Sequence, residues 1–520
     1  MTDKAKLESV KAPAAGYNDL KFYFSNLNTM FSIRDTLAID MMTSMPQGGL
    51  KRRINEISSL TKRIYAETTT PTVSKLLDQV EAEADNNKDS WSEWDVANVA
   101  EMRRIHSHLS ALPPELYIAS VQISNEGRKM HQNAQQAKNW EEVSPYVQKV
   151  VDTYRKIGEL KQKKFNTATP YRALLIGYAS DISTRQMDDV YDSMLKPLQD
   201  LYQKALDKQN MDGLPKPIEG KFSRGDQMWL NKTVLELMGF DFERGSLEIT
   251  NLSPMMGGHY DDTRVLVRCQ NDGNFMDSLD DTLHQGARGL YQQNLPEQWN
   301  TQPVGQDQGM IMMNTLSALY ETIIGRTPQF FDFISTRAEG VFRQFKNSSF
   351  EPENFYQLKK VLKRTTTRNE ADEFSKIFHD IMRYRIERDL INGDLEVKDL
   401  PERWNAESKE LLGLTPNNLQ EGVLQNPDWF TGRFGFIPTN TFSHIMGAEL
   451  QELLYQQIDN FPDKVAKGDF TEMHEWLKQN IYTKGRLHGT FATMNSLVGK
   501  DVSPQPLIDH LTRRYLSDKK

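Results

Sequence analysis

Apolar positions in this chain recur mostly at the three- and four-residue spacing of a helix. Val143, Val147, Val150, Tyr154, Ile157 and Leu160 step in this way, which puts all six on one side of a 3.6-residue turn. The stretch 186–206 continues the pattern. The cluster 212–220, rich in glycine and proline, is the clearest interruption, because those residues end regular structure. Two runs beyond it read differently. Segments 246–252 and 263–269 predict strands. In the second, Val265, Val267 and Cys269 fall on one side and Arg264, Leu266 and Arg268 on the other. Turn-prone residues 254–262 join them. From there to Tyr515 the pattern is again mainly helical, with no short-period repeat and no low-complexity tract. The prediction is a mainly α-helical protein with one small sheet.

Composition narrows the class. The chain has 520 residues, 38% hydrophobic and 26% charged, which are ordinary globular values with length enough for a large core. No long Gly, Ser or Pro linker divides it. One domain, 1–520, is therefore expected, with an N-terminal helical part at 1–215 and a second part at 216–520. The net charge is −8, with acids and bases mixed throughout. That argues against a nucleic-acid partner, which selects a basic patch or stripe. Cys269 is the single cysteine, so no intrachain disulfide forms, and a reducing cytoplasmic setting fits. The first residues lead into no apolar signal core. No stretch approaches the ~18 uncharged apolar residues of a membrane span, so no membrane association is expected.

One segment bears on chemistry. Thr282, Leu283, His284, Gln285, Gly286, Ala287 and Arg288 have the outline of an H-E-x-x-H helix. That pattern sets two metal-binding histidines at i and i+4, with a glutamate that deprotonates the metal-bound water. Here His284 stands at the first histidine, Gln285 at the glutamate and Arg288 at the second histidine. An amide takes no proton from water, and a guanidinium coordinates no cation. By itself H-Q-x-x-R is uninformative, since a histidine on a helix is more often structural than a ligand.

The surrounding blocks raise its weight. Downstream come Leu319, Tyr320, Glu321 and Thr322, then Ile323, Ile324, Gly325 and Arg326. Next are Arg368, Ala371 and Asp372; Asn392, Gly393 and Asp394; and Pro401, Glu402, Arg403 and Trp404. Gln425, Asn426, Asp428 and Trp429 follow, and then Gly435, Phe436, Pro438 and Thr439. In this order and spacing they resemble the thermostable (Taq-type) metallocarboxypeptidase family, nearly from Asp40 to Tyr515. The resemblance implies a mainly α-helical, saddle-like body with a deep central groove and a small β-sheet next to the site helix. The groove and site would fall in 216–520, and the protein would be a homodimer.

The resemblance also assigns positions. The family's third zinc ligand is a glutamate directly after a histidine. Counting back from Glu321 and Arg326, those positions are Met313 and Asn314. One ligand of three remains, His284, and the general base is missing. No metal and no other cofactor is therefore expected. The family's D-x-R-x-T strand reads Asp262, Arg264 and Leu266. Its R-x-x-A-D element is intact, its Q-D-x-H-W element keeps Gln425 and Trp429, and the two tyrosines of G-Y-F-P-T-Y are Phe436 and Asn440. The losses fall on catalytic chemistry, while turns and helix contacts stay.

Arg288 starts roughly 6 Å from His284 on the same helix face. A cation there either pairs with an internal acid, Asp262, Asp372 or Glu321, or serves as a fixed charge for a ligand; buried arginines more often have internal partners. Asp188, Asp189 and Asp192 match a D-D-x-x-D metal pattern but read better as a solvated helix face. Asp261–Asp262 and Asp280–Asp281 read as caps of a turn and of the His284 helix. Met310, Met312 and Met313 read as core, with Met313 lining the cleft as a softer surface. His259 and His444 are cleft histidines at most.

Three functions remain open from sequence. The first is a zinc-independent pseudopeptidase whose groove holds a peptide or small carboxylate, with Arg288, Arg264, Arg368, Asn314, Gln285 and Met313 as the binding set. The second is a repurposed metal-free biosynthetic enzyme acting on an amino-acid-like or peptide-like substrate, with His284, Asp262 and Asp372 as its acid–base set. The third is a residual metallocarboxypeptidase that recruits His259 or Asp280.

Overall fold

The computed structural model describes residues 15–86, 88–342 and 348–517. These form twenty-one α-helices and three strands, and no helix among them is long and apolar enough to cross a membrane. The face containing Val147, Val150 and Ile157 becomes the helix Ser144–Phe165, with those side chains buried. The 186–206 stretch lies within Thr184–Asp212. Ser183 starts this helix with a reciprocal cap: its hydroxyl accepts from the Gln186 amide, and the Gln186 side chain accepts from the Ser183 amide. Apolar side chains segregate into two clusters. A smaller one holds Tyr17, Leu20, Phe24, Leu77 and Met102 in the N-terminal helices. The larger runs from Leu112 to Tyr515.

The sheet has one more strand than its pattern predicts. β1 (Gly245–Ile249) and β3 (Asp262–Val267) pair in parallel, and β2 (Met255–His259) lies antiparallel on the other side of β3. β2 occupies the stretch read as turn-prone. Its sequence Met-Met-Gly-Gly-His has no β-branched residue and no alternation, so only its partner makes it a strand. Gly258 is required there. It sits at φ 93°, and a Cβ on it would lie 1.9 Å from the Asp262 carbonyl oxygen.

The sheet supports the helix that carries His284, Phe275–Gln293. Asn274 caps that helix by accepting from the Met276 amide at 3.1 Å. The start therefore falls earlier than the aspartate pair implied. Asp280 and Asp281 lie inside the helix, where Asp281 holds Arg268 at 2.9 Å and Asp280 holds Lys359 at 2.5 Å. Gly289 lets the helix lie close on the sheet: a Cβ would fall 2.8 Å from Phe240 and 3.1 Å from Val265. The next helix, Met310–Ala318, runs into a wider π-helical stretch, Leu319–Ile324. Together with Glu373–Asn392 and Pro438–Gln457 these elements frame one cavity.

Helix Glu373–Asn392 is buried along most of its length and carries many ionisable groups. Glu387 is fully buried. It accepts from the Trp429 indole at 3.2 Å and from the Gly435 amide at 3.1 Å. Burial, with the nearby Asp428 charge, pushes its pKa up to about 8 despite these donors and Arg383. The folded protein then keeps a proton that the unfolded chain releases near the ordinary carboxyl value of about 4.3. The contribution of Glu387 is thus complete at low pH and is lost as pH rises toward about 8, by at most about 1.4 kcal/mol per pH unit. Urea midpoints between about pH 5 and pH 8 are expected to show this decline in the wild type and not in Glu387→Gln. Parallel curves for the two proteins rule out a neutral Glu387.

Candidate functional site

One cavity has a volume of about 560 Å³. His284 and Gln285 reach it from the site helix, Asn314 and Glu321 from the following helix and its π-helical extension, and Arg326 from the turn beyond. Glu373 and Lys376 come from the start of Glu373–Asn392, Asn440, Ser443 and His444 from Pro438–Gln457, and Arg368 from the loop before Asp372. An isolated π turn of this kind is frequent at functional sites, and this one holds Glu321.

Glu321 engages His284. Nδ1 of His284 lies 2.7 Å from Oε2 of Glu321, while Oε1 is 3.6 Å from Arg326. Burial favours the neutral acid, but the hydrogen bond and charge of His284, with Arg326 and Lys376, outweigh it and hold Glu321 well below the usual carboxylate range. The carboxylate accepts from Nδ1–H, which leaves Nε2 of His284 as the acceptor in the neutral ring. His444 has a parallel arrangement. Its Nδ1 donates to the Asn440 carbonyl at 2.8 Å, and burial lowers its pKa. The cavity therefore holds two imidazoles, each with one nitrogen fixed by a hydrogen bond.

Arg288 stands one turn after His284, partly buried beside the cavity wall. Its Nε donates to the Ser317 hydroxyl at 3.0 Å, one Nη to the Gln285 side-chain Oε1 at 3.5 Å and the other to the Asn314 side-chain oxygen. Asn314 in turn donates to the Thr439 hydroxyl at 3.0 Å. No carboxylate ion-pairs with Arg288 among the described residues. The expected acid partner is thus replaced by three neutral oxygens. The reason is that the acids are committed elsewhere: Glu321 to His284, Asp262 to Arg264, and Asp372 to the Ser375 and Lys363 amides and the Tyr202 hydroxyl. Without a counter-ion, burial draws the guanidinium pKa down to about 10, with the Glu321 charge acting in the opposite sense.

The profile of the carboxypeptidase Taq (M32) metallopeptidase family matches residues 19–515. The chain belongs to that family. Thermostable carboxypeptidase 1 of Thermus thermophilus is 25% identical over 518 residues, covering 97% of this chain and 99% of that protein. Carboxypeptidase 1 of Bacillus subtilis is 23% identical, covering 95% and 97%. Among solved structures, Trypanosoma cruzi metallocarboxypeptidase 1 superposes with a TM-score of 0.92 at 24% identity, over 96% of this chain and 99% of that one. A Pyrococcus furiosus carboxypeptidase superposes at 0.89 and 22%, over 96% and 99%. At these identities the superpositions establish a shared fold.

Within the family framework, the residues singled out from sequence separate into two groups. His284, Gln285, Asn314 and Arg368 line the cavity. Asp262 and Arg264 lie on β3, bound to each other, with Arg264 also 3.0 Å from Glu248. Asp372 caps Glu373–Asn392, and Met313 is buried in the core. His259 sits on β2, 3.2 Å from Asn28, and Asp188 pairs with Arg388 at 2.8 Å. Arg368 is held by Asp380 at 2.7 and 3.2 Å, and its amide by Gln425 at 2.8 Å. The retained family positions Gln425, Trp429, Gly435 and Thr439 thus act as supports. Sequence reading missed the His284–Glu321 pair and gave no signal for Lys376, Arg326 or Ser443. Glu321 served there as an alignment anchor and as one candidate partner of Arg288, not of His284.

Asn314→Leu and Arg288→Met are each expected to destabilise by about 1–3 kcal/mol, because each leaves a polar group without its partner. The double variant is expected to cost less than the sum by at least about 1 kcal/mol. Urea denaturation of the four proteins measures the coupling, and simple additivity refutes the contact.

Proposed function

We propose that this chain is a zinc-independent member of the family: it keeps a cavity for a peptide or small carboxylate and performs no zinc-dependent hydrolysis. The single observation that carries this reading is the seating of Arg288. The positions that resemblance assigns to the general base, the second histidine and the third ligand are Gln285, Arg288 and Asn314. Arg288 donates to both of the others. The Asn314 oxygen, the only one of the three assigned ligand positions besides His284 with a usable acceptor, already receives the guanidinium. A fixed cation beside it repels a dipositive ion. Among the described residues, no group of three His, Cys, Asp or Glu side chains is placed to hold a metal. The donor set does not fit zinc.

The repurposed-enzyme reading has an observation of its own. His284 backed by Glu321 has the form of an oriented acid–base pair, with Nε2 left for a substrate. In this reading Glu321 takes the role first given to Asp262 or Asp372, which face other partners. The residual-peptidase reading is the weakest, since Asp280 is bound to Lys359 and His259 lies on the sheet.

Protein purified free of metal and returned to zinc is expected to hold far less than one equivalent, measured by elemental analysis, and to release no C-terminal residues from peptides. Near-stoichiometric zinc with cleavage overturns the proposal. The triple change Gln285→Glu, Arg288→His and Asn314→Glu is expected to restore zinc uptake with little cleavage. If that variant folds and takes up no metal, the positional assignment is wrong.

A further inference from the structure

Four cations line the cavity, and three are engaged by the protein. Arg268 pairs with Asp281 through two contacts of 3.0 and 2.9 Å. Arg368 pairs with Asp380 at 2.7 and 3.2 Å. Arg326 lies 3.6 Å from Glu321 and 4.0 Å from Glu373. Lys376, the fourth, has neither a side-chain hydrogen bond nor an ion pair among the described residues. It stands in the first turns of helix Glu373–Asn392, where the positive end of the helix adds to the charges of Arg326 and Arg368. Burial is the main influence on this amine. With those two guanidinium groups it outweighs Glu321 and Asp280 and brings the pKa below the ordinary lysine value. A lysine desolvated beside other cations is the arrangement that exposes a nucleophilic amine.

Two further features of the same cavity match such an amine. Arg326 is 11% exposed, and its Nε–H is buried without a hydrogen-bond partner. The separations of its terminal nitrogens from Glu321 and Glu373 are too long for hydrogen bonds, so the guanidinium, which lines the cavity, keeps terminal donors for a carboxylate. His284 and His444 each keep Nε2 without a partner among the described residues, which provides groups that can carry a proton to and from an oxygen atom.

We propose that Lys376 is an imine-forming lysine, and that the cavity accepts a small 2-oxo acid whose carbonyl condenses with Nζ while its carboxylate faces Arg326. The amine lone pair adds to the carbonyl carbon and a C–N bond forms. The proton released from nitrogen passes, through a cavity histidine, to the former carbonyl oxygen and gives a carbinolamine. That hydroxyl takes up the second proton of the nitrogen, relayed by a cavity histidine, and leaves as water; the C–O bond breaks and a C=N bond remains. One amine and one carbonyl enter, one imine and one water leave, and nothing is oxidised or reduced. The inference uses the amine and the cavity only, and it stands apart from the question of zinc.

The test uses the full chain with a chelator present and pyruvate as the probe. Cyanoborohydride is added to reduce any imine to a stable secondary amine. The expected product is one adduct per chain, heavier by one pyruvic acid less one oxygen atom, which peptide mapping places on Lys376. Lys376→Arg keeps the cation and loses the nucleophile, so its trapping is expected to fall at least about tenfold with the melting temperature unchanged. Absence of adduct, adducts spread over surface lysines, or trapping that persists in the variant overturns the proposal. Pyruvate that raises the melting temperature without forming an adduct also overturns it, because the amine is then only an anion contact. If the variant fails to fold, the mapped position in the wild type decides alone.

Discussion

A desolvated guanidinium that ion-pairs with no carboxylate among the described residues organises the centre of this molecule. Arg288 draws the Ser317 hydroxyl, the Gln285 amide and the Asn314 amide toward itself, and Asn314 passes the contact on to Thr439. Three helices, Phe275–Gln293, Met310–Ala318 and Pro438–Gln457, are thereby joined through neutral polar groups around one permanent charge. Such a charge tolerates burial only with its donors satisfied. Each of those side chains is therefore constrained in type and position.

Charge placement elsewhere follows a different rule. Along Glu373–Asn392 most ionisable groups are matched: Asp380 with Arg368, Arg388 with Asp188, and Asp389 with Arg403. Matched groups fix the position of the helix and carry no reactivity of their own. Glu387, surrounded by donors and by Asp428, remains neutral through much of the physiological range. Several groups that face the cavity stay unmatched among the described residues: the amine of Lys376, the Nε–H of Arg326, and the open nitrogens of His284 and His444. Chemistry is expected where the protein has not used up its own donors and acceptors.

The family framework and the site therefore separate. The fold is that of the M32 carboxypeptidases, with a TM-score of 0.92 to one solved member. Fold alone does not carry activity. Residues that support the framework persist, because Gln425 still positions Arg368 and Trp429 still meets Glu387. At the positions that the resemblance assigns to zinc chemistry, Arg288 bonds to both Gln285 and Asn314.

Helical spacing alone made the helices around Val150 and Leu198 legible, and alternation made β3 legible. These are local patterns, set by which side chains must turn away from water. The order of sequence blocks was also enough to place the chain in its family. β2 was not legible, because a Gly-Gly strand exists only by pairing with β3. Nor was the cap of the site helix, since Asn274 competed with two aspartates whose partners, Arg268 and Lys359, come from distant segments. The His284–Glu321 pair, the neutral cage of Arg288 and the unpaired state of Lys376 depend on which groups meet across helices. An isolated charge looks the same in sequence whether it is matched or not. Only the tertiary structure decides which of them keep a free valence for a ligand.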